Sequence, residues 1–244
     1  MGRILKTAAA LLGAAAAAEA GGGAYLDRRT MIRYNAKTER TMKMSGVDWE
    51  KYIPMMKERR EWMMQQPHED VWITSHDGLK LHGTYFKGDE GKKAVICFHG
   101  YTSEGLNDYG SLSNYYLKHG FRMLLVDLRA HGKSEGEHIG FGNMDRLDGA
   151  RWVDWMVEKA GSDVQILLHG NSMGSATVCM MSGLELPPQV KGIISDCAFT
   201  SMKDVFTHVL HSMYHIPAFP MLQLADWANK KKVGYGLDDL SSAR

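Results

Sequence analysis

Three cysteines in 244 residues are too few and too scattered for a disulfide framework. The chain has no Cys-x-x-Cys pair and no Asn-x-Ser/Thr sequon. Cys97 falls in a predicted strand, Cys179 in a predicted helix and Cys197 just after another strand, so all three read as small buried hydrophobes in a reducing compartment. An excess of charge is lacking too. A formal net charge of +1 gives no electrostatic case for a nucleic-acid partner. No group of His, Cys and carboxylate residues has metal-ligand spacing, so neither a metal nor another cofactor is expected. Phosphate loops and dinucleotide fingerprints are missing. Gly132, Lys133 and Ser134 look like the tail of a phosphate loop, but that motif needs a glycine at position 127, which is aspartate. Long apolar runs are absent as well. The alanine-rich stretch at 7–18 is short and weakly apolar for a membrane span.

What is present is a core. Apolar and aromatic residues make up 44% of the chain, ample for one sizeable α/β domain. The apolar run at 164–168 leads straight into His169-Gly170-Asn171-Ser172-Met173-Gly174, and a helix-like stretch follows to Met181. A Gly-x-Ser-x-Gly pentapeptide alone arises by chance in a glycine-rich chain. Between a strand and a helix it has the context of a nucleophile elbow. Glycines at 170 and 174 remove the Cβ atoms that would collide as the chain reverses at Ser172. The serine hydroxyl would then stand at the end of a strand and the start of a helix, where backbone N–H groups can bind a developing oxyanion.

Two more buried-strand runs agree. One, at 93–98, ends in His99-Gly100-Tyr101-Thr102-Ser103. The other, at 121–126, ends in Asp127-Leu128-Arg129-Ala130-His131-Gly132-Lys133-Ser134. Near-continuous apolar runs suit central strands of a parallel sheet covered on both faces. These three motifs, in this order, resemble the α/β-hydrolase family, and most of all its serine-hydrolase branch with serine aminopeptidase-type domains. The resemblance covers about residues 70–240.

That resemblance implies a mostly parallel central sheet with helices on both faces. It implies Ser172 as nucleophile, with the backbone N–H groups of Met173 and Tyr101 as oxyanion donors. A serine at the elbow argues against dehalogenase or epoxide-hydrolase chemistry. In the family the triad acid and histidine follow the nucleophile on the last two strands. Neither strand is recognisable after Ser172, so the acid and the histidine are not identified and the chain is expected to be C-terminally incomplete. His208, His211 and His215 are the later histidines, in or just after a predicted helix where solvated or packing roles suit them. Asp196 could orient a histidine or close a structural turn. The expected partner is a small-molecule acyl substrate: a carboxylic ester, a thioester or a small amide. A non-catalytic binding protein and an acyltransferase on the same fold remain as alternatives.

Along the chain, 1–45 reads as a leader and 46–244 as the hydrolase domain. Arg3, Lys6, the alanine-rich stretch and Ala18-Glu19-Ala20 fit a secretory signal, an uncleaved anchor of the kind related hydrolases carry, or a loosely ordered leader. Arg28, Arg29, Arg33, Lys37, Arg40 and Lys43 behind it favour a cytoplasmic side. Membrane association through the N-terminus, a cytoplasmic location and secretion all stay open. Residues 46–66 are expected to be an amphipathic helix with a Trp and Met packing stripe, kinked or started by Pro54. Alternating runs around Asp77-Gly78 predict a hairpin. Helices are expected near 112–119 and 144–159, and a further strand at 189–196. The 200–232 region reads as two helices, the second shorter. The resemblance makes them a cap over the site, and a core-facing helix is the plainer alternative. His99, His131 and His169 are expected to stabilise turns rather than bind a ligand.

Overall fold

The computed structural model describes residues 21, 22, 28, 30–33, 48, 50–89, 91–215, 217–239, 241 and 242. The alanine-rich stretch, four of the six basic residues behind it and Trp49 lie outside these. No helix among the described residues is long and apolar enough to cross a membrane. The chain divides into two compact units, Arg33–Thr200 with the last residues, and Ser201–Ser241 with the first.

The larger unit is built on six strands: β1 (His68–Thr74), β2 (Lys80–Phe86), β3 (Lys93–Phe98), β4 (Arg122–Val126), β5 (Gln165–Asn171) and β6 (Val190–Asp196). Their order is β1-β2-β4-β3-β5-β6. The hairpin β1–β2 enters antiparallel and β2 pairs antiparallel with β4. From β4 through β3 and β5 to β6 all pairings are parallel. The apolar runs account for this. Every residue of β3 after Lys93 is buried, as is every residue of β4 after Arg122, because helices cover both faces.

The hairpin turns where Asp77-Gly78 predicted it. Gly78 takes a left-handed φ of 90°, and Ser75 Oγ accepts from the Leu79 N–H at 2.8 Å. In β2 the polar His82 and Thr84 are buried with their apolar neighbours. Hydrogen bonding makes that tolerable: the His82 ring meets Asp127 at 2.7 Å and Asp70 at 2.9 Å.

Five helices pack on the sheet: α1 (Ile53–Met64), α2 (Gly105–Tyr109), α3 (Ser113–Lys118), α4 (Asp145–Ala160) and α5 (Met173–Met181). Pro54 marks the start of α1 rather than a kink, since its missing N–H costs nothing in a first turn. Met63 of α1 joins Tyr109, Tyr116, Val95, Cys97 and Leu125 in one core cluster. Against Gly83 of β2 lies Trp152 of α4: a Cβ there would sit 2.9 Å from Leu124 and 3.3 Å from the indole.

The smaller unit holds α6 (Met202–Tyr214) and α7 (Met221–Val233). Ser201 caps α6 by accepting from the Asp204 N–H. Met202 and Leu210 of α6 are buried, as are Leu222 and Asn229 of α7. Both helices have 13 residues, so the second is not the shorter one expected. Gly234, at φ 83°, ends α7 in a left-handed cap that accommodates glycine best.

Candidate active site

Strand β5 is buried through its centre and delivers the chain to Ser172, which has φ 53° and ψ −110°. A left-handed φ at a non-glycine residue is strained by about 1–3 kcal/mol and is held only when its surroundings fix it. They do so here. A Cβ on Gly174 would run into the Phe98 carbonyl, and one on Gly170 into the backbone of Gly174. Only glycine permits either approach. The Ser172 N–H donates to the Asp196 carbonyl of β6 at 2.9 Å, and the Ser172 carbonyl accepts the Ala176 N–H of α5. The hydroxyl itself does not cap the helix. Met173 is the first residue of α5, where a backbone N–H has no acceptor within the helix.

The loop after β3 faces this turn. A Cβ on Gly100 would lie 3.3 Å from the Ser172 Cβ. Tyr101 follows it, and its ring stacks on Phe141 at 5.5 Å between centroids. Phe141 is buried with a φ of 45°, in a loop whose Gly142 N–H donates to Asp145 at 2.8 Å.

Of the three strand-end histidines, His99 and His131 are occupied as turn-builders, whereas the His169 ring is tied to a helix side chain instead. His99 Nδ1 donates to the Gly100 carbonyl and Nε2 accepts from the Leu128 N–H. In the same way His131 bonds the Arg129 carbonyl through Nδ1 and accepts the Thr102 N–H through Nε2. Burial, and then the neighbouring His99, push His131 down to about 3. His169 bonds the Tyr116 hydroxyl at 2.8 Å, and burial lowers it too. These rings are neutral fixtures at neutral pH. Of the other sequence candidates, Asp196 bonds the elbow through its backbone. His208 and His211 lie on α6 and His215 directly after it, all exposed and all in the smaller unit.

Sequence spacing gave no metal-like cluster, but the fold makes one. Donor atoms of His76, Asp77 and Asp148 lie within 4.8 Å of one another. An arginine already fills it. Arg129 forks onto Asp148 at 2.7 and 2.9 Å and onto Asp77 at 3.0 and 3.2 Å. This draws Asp77 down to about 2, chiefly through the arginine hydrogen bonds. Burial outweighs the same arginine at Asp148 and raises its carboxyl. Burial and Asp148 raise the fully enclosed Asp145 to about 7. The phosphate-loop look-alike is also self-filled. The Lys133 N–H donates to Asp127 at 3.0 Å, and Arg33 grips the Gly132 and Ser134 carbonyls at 2.6 Å each. Arg33 is therefore a structural clamp on this loop.

Sequence reasoning missed Asp108. Its carboxylate accepts the Gly100 N–H at 2.6 Å, the Ser103 hydroxyl at 2.5 Å and the Asn171 amide at 3.1 Å.

Comparison with known proteins follows the same lines. Residues 93–229 match the family described as alpha/beta hydrolase fold. The Bacillus subtilis protein YqkD is 27% identical over 169 residues, 69% of this chain and 55% of YqkD. The Pyrococcus furiosus esterase Pf2001 superposes in one crystal form with a TM-score of 0.56 at 25% identity, covering 67% of this chain and 63% of the esterase. A second crystal form gives 0.54 at 27% identity, over 63% and 60%. This chain thus spans less than two thirds of the length of either relative.

Proposed function

Since the chain belongs to the alpha/beta hydrolase fold family, we propose that it is a serine hydrolase of carboxylic esters, with thioesters and small amides as chemically related substrates. The observation that carries the reading is the left-handed Ser172 at a strand-to-helix turn walled by Gly170 and Gly174. Such a turn holds a hydroxyl clear of the backbone, so that it can reach an acyl carbon. The likeness to an esterase supports the substrate class.

Ser172 Oγ attacks the acyl carbonyl carbon and its proton passes to a general base. Negative charge moves onto the carbonyl oxygen, where the Met173 and Tyr101 N–H groups receive it. Collapse expels the alcohol, which takes up the proton, and leaves an acyl-serine. Water then attacks that ester, and the acid and Ser172 are released. His99, His131 and His169 are committed elsewhere, so the base is not among them. His208, His211 and His215 are the downstream histidines to replace one by one.

A fluorophosphonate probe tests this directly. Wild-type protein is expected to be labelled covalently and Ser172→Ala to stay unlabelled. Folded wild-type protein that takes no label would sink the reading and favour a binding protein that keeps the elbow without its chemistry.

A further inference from the structure

Helix α2 is only five residues long, yet its last two side chains tie the two strands that carry the site. Tyr109 Oη donates toward the Phe98 carbonyl at 3.1 Å and the His169 carbonyl at 2.9 Å. Phe98 ends β3, and His169, paired in register with Cys97, lies near the end of the neighbouring β5. One residue earlier on the helix, Asp108 bonds one step further along each strand. It reaches Gly100, two residues past Phe98, and Asn171, two residues past His169. A single carboxylate oxygen, Oδ2, takes both of those hydrogen bonds, while Oδ1 takes the Ser103 hydroxyl. Gly100 immediately precedes Tyr101, and Asn171 immediately precedes Ser172.

We propose that Asp108 is the positioning residue that fixes the oxyanion loop against the nucleophile turn, setting the separation of the Tyr101 and Met173 N–H groups. The proposal rests on the serine-hydrolase reading above. Asp108 touches no reacting atom; it acts through Gly100 and Asn171. Both donors must stand within about half an ångström of their productive positions, and of the hydrogen bonds made by the loop it is Asp108 that joins Gly100 to the nucleophile strand, through Asn171. Thr102 sits at a left-handed φ of 52° and is tied through its N–H to the His131 ring, which belongs to the turn after β4 rather than to the nucleophile strand. Without the carboxylate, Gly100 and Asn171 lose their common acceptor and the gap between loop and elbow is free to widen. Misplacement on that scale lowers turnover on the order of 10-fold to 100-fold, because it acts on the transition state more than on the bound ester.

Two variants separate this from a merely structural role. Asp108→Ala removes the acceptor. Asp108→Asn can keep it: with its carbonyl oxygen in the place of Oδ2 it still accepts from Gly100 and Asn171, and its NH2 donates to the Ser103 hydroxyl. On a small chromogenic ester such as p-nitrophenyl acetate, Asp108→Ala should lose kcat by about 10-fold to 100-fold with KM within about 2-fold, and Asp108→Asn should recover most of it. Amide hydrogen exchange at Gly100 and Tyr101 should quicken in the alanine variant and not in the asparagine one. Unchanged exchange and unchanged kcat in Asp108→Ala overturn the proposal. So does an asparagine variant as impaired as the alanine one. If the wild type neither hydrolyses the ester nor takes a fluorophosphonate, the serine reading falls, and the exchange data alone decide whether Asp108 holds the loop.

Discussion

Two turns at the same end of the sheet use the same backbone device to opposite ends. After β4 the chain passes through Ala130 at φ 61°, and after β5 through Ser172 at φ 53°. The β4 turn fills itself. Asp127 accepts from Lys133 and bonds His82, the Ser134 hydroxyl bonds the Asp127 carbonyl, and Arg129 and Arg33 close the flanks. The β5 turn is held by its walls: two glycines that admit neighbouring backbone, a carbonyl from β6 and an amide bonded to Asp108. In the first turn polar groups are consumed in keeping the shape. In the second the shape is kept from outside, and among the described residues nothing engages the serine hydroxyl. Strain alone therefore marks neither turn as functional; what the surrounding groups leave unspent does.

The contrast can be broken from either side. The largest effect is expected at the walls. Gly174→Ala forces a Cβ into the Phe98 carbonyl, where the nearest atoms are all backbone of Phe98 and His99 and nothing flexible can yield. It should destabilise by about 3 kcal/mol or more, or prevent folding, and urea unfolding measures it. A wild-type midpoint would mean that the turn is not walled as described. Next comes the self-filled turn. Arg129→Ala leaves Asp148 buried without its partner and should destabilise by about 3–5 kcal/mol in the same assay, with Ser172 still open to labelling if the protein is kept folded.

The smallest effect is a pH dependence. The Asp145 carboxyl is raised to about 7 from an ordinary 3.8, so the folded state holds a proton that the unfolded chain gives up. Its stabilisation is complete below about pH 4 and is lost as pH climbs toward 7. Asp145→Asn has no proton to lose. Thermal melts from pH 4 to 8 should show wild-type stability falling relative to the variant, by on the order of a few kcal/mol at most, and parallel curves would refute it. His82 adds a decline in both proteins. Burial pulls it down but its bonds to Asp127 and Asp70 outweigh this, so it too loses stabilising charge as pH rises through its elevated value.

Much of this frame is legible in the chain itself. Apolar runs ending at Phe98, Val126 and His169 announce the parallel strands, because a strand covered on both faces has no polar side to show. Asp77-Gly78 announces the hairpin through local backbone preference. The elbow is legible because glycine must stand at 170 and 174. Helix α2 is not, since five residues carry no period. Asp108 and Tyr109 look like loop residues until β3 and β5 are placed side by side. Likewise Asp77, Arg129 and Asp148 are far apart in sequence and meet only through the sheet. The burial of His82 is not legible either, because its partners Asp70 and Asp127 meet it only across the sheet. Local rules reach strands and turns; convergence of side chains is a property of the packed sheet.

The three thiols are disposed very unequally about this site. Cys97 is sealed inside β3, and burial holds it firmly as a thiol. Cys197 is exposed, one residue past the carbonyl that pins Ser172, with its sulfur 3.4 Å from the Asn171 side chain. A maleimide dye would meet its most open target there. The chain thus carries its own attachment point for a fluorescent reporter beside the nucleophile, without an engineered cysteine, and ligand entry at the elbow could be followed as a change in emission.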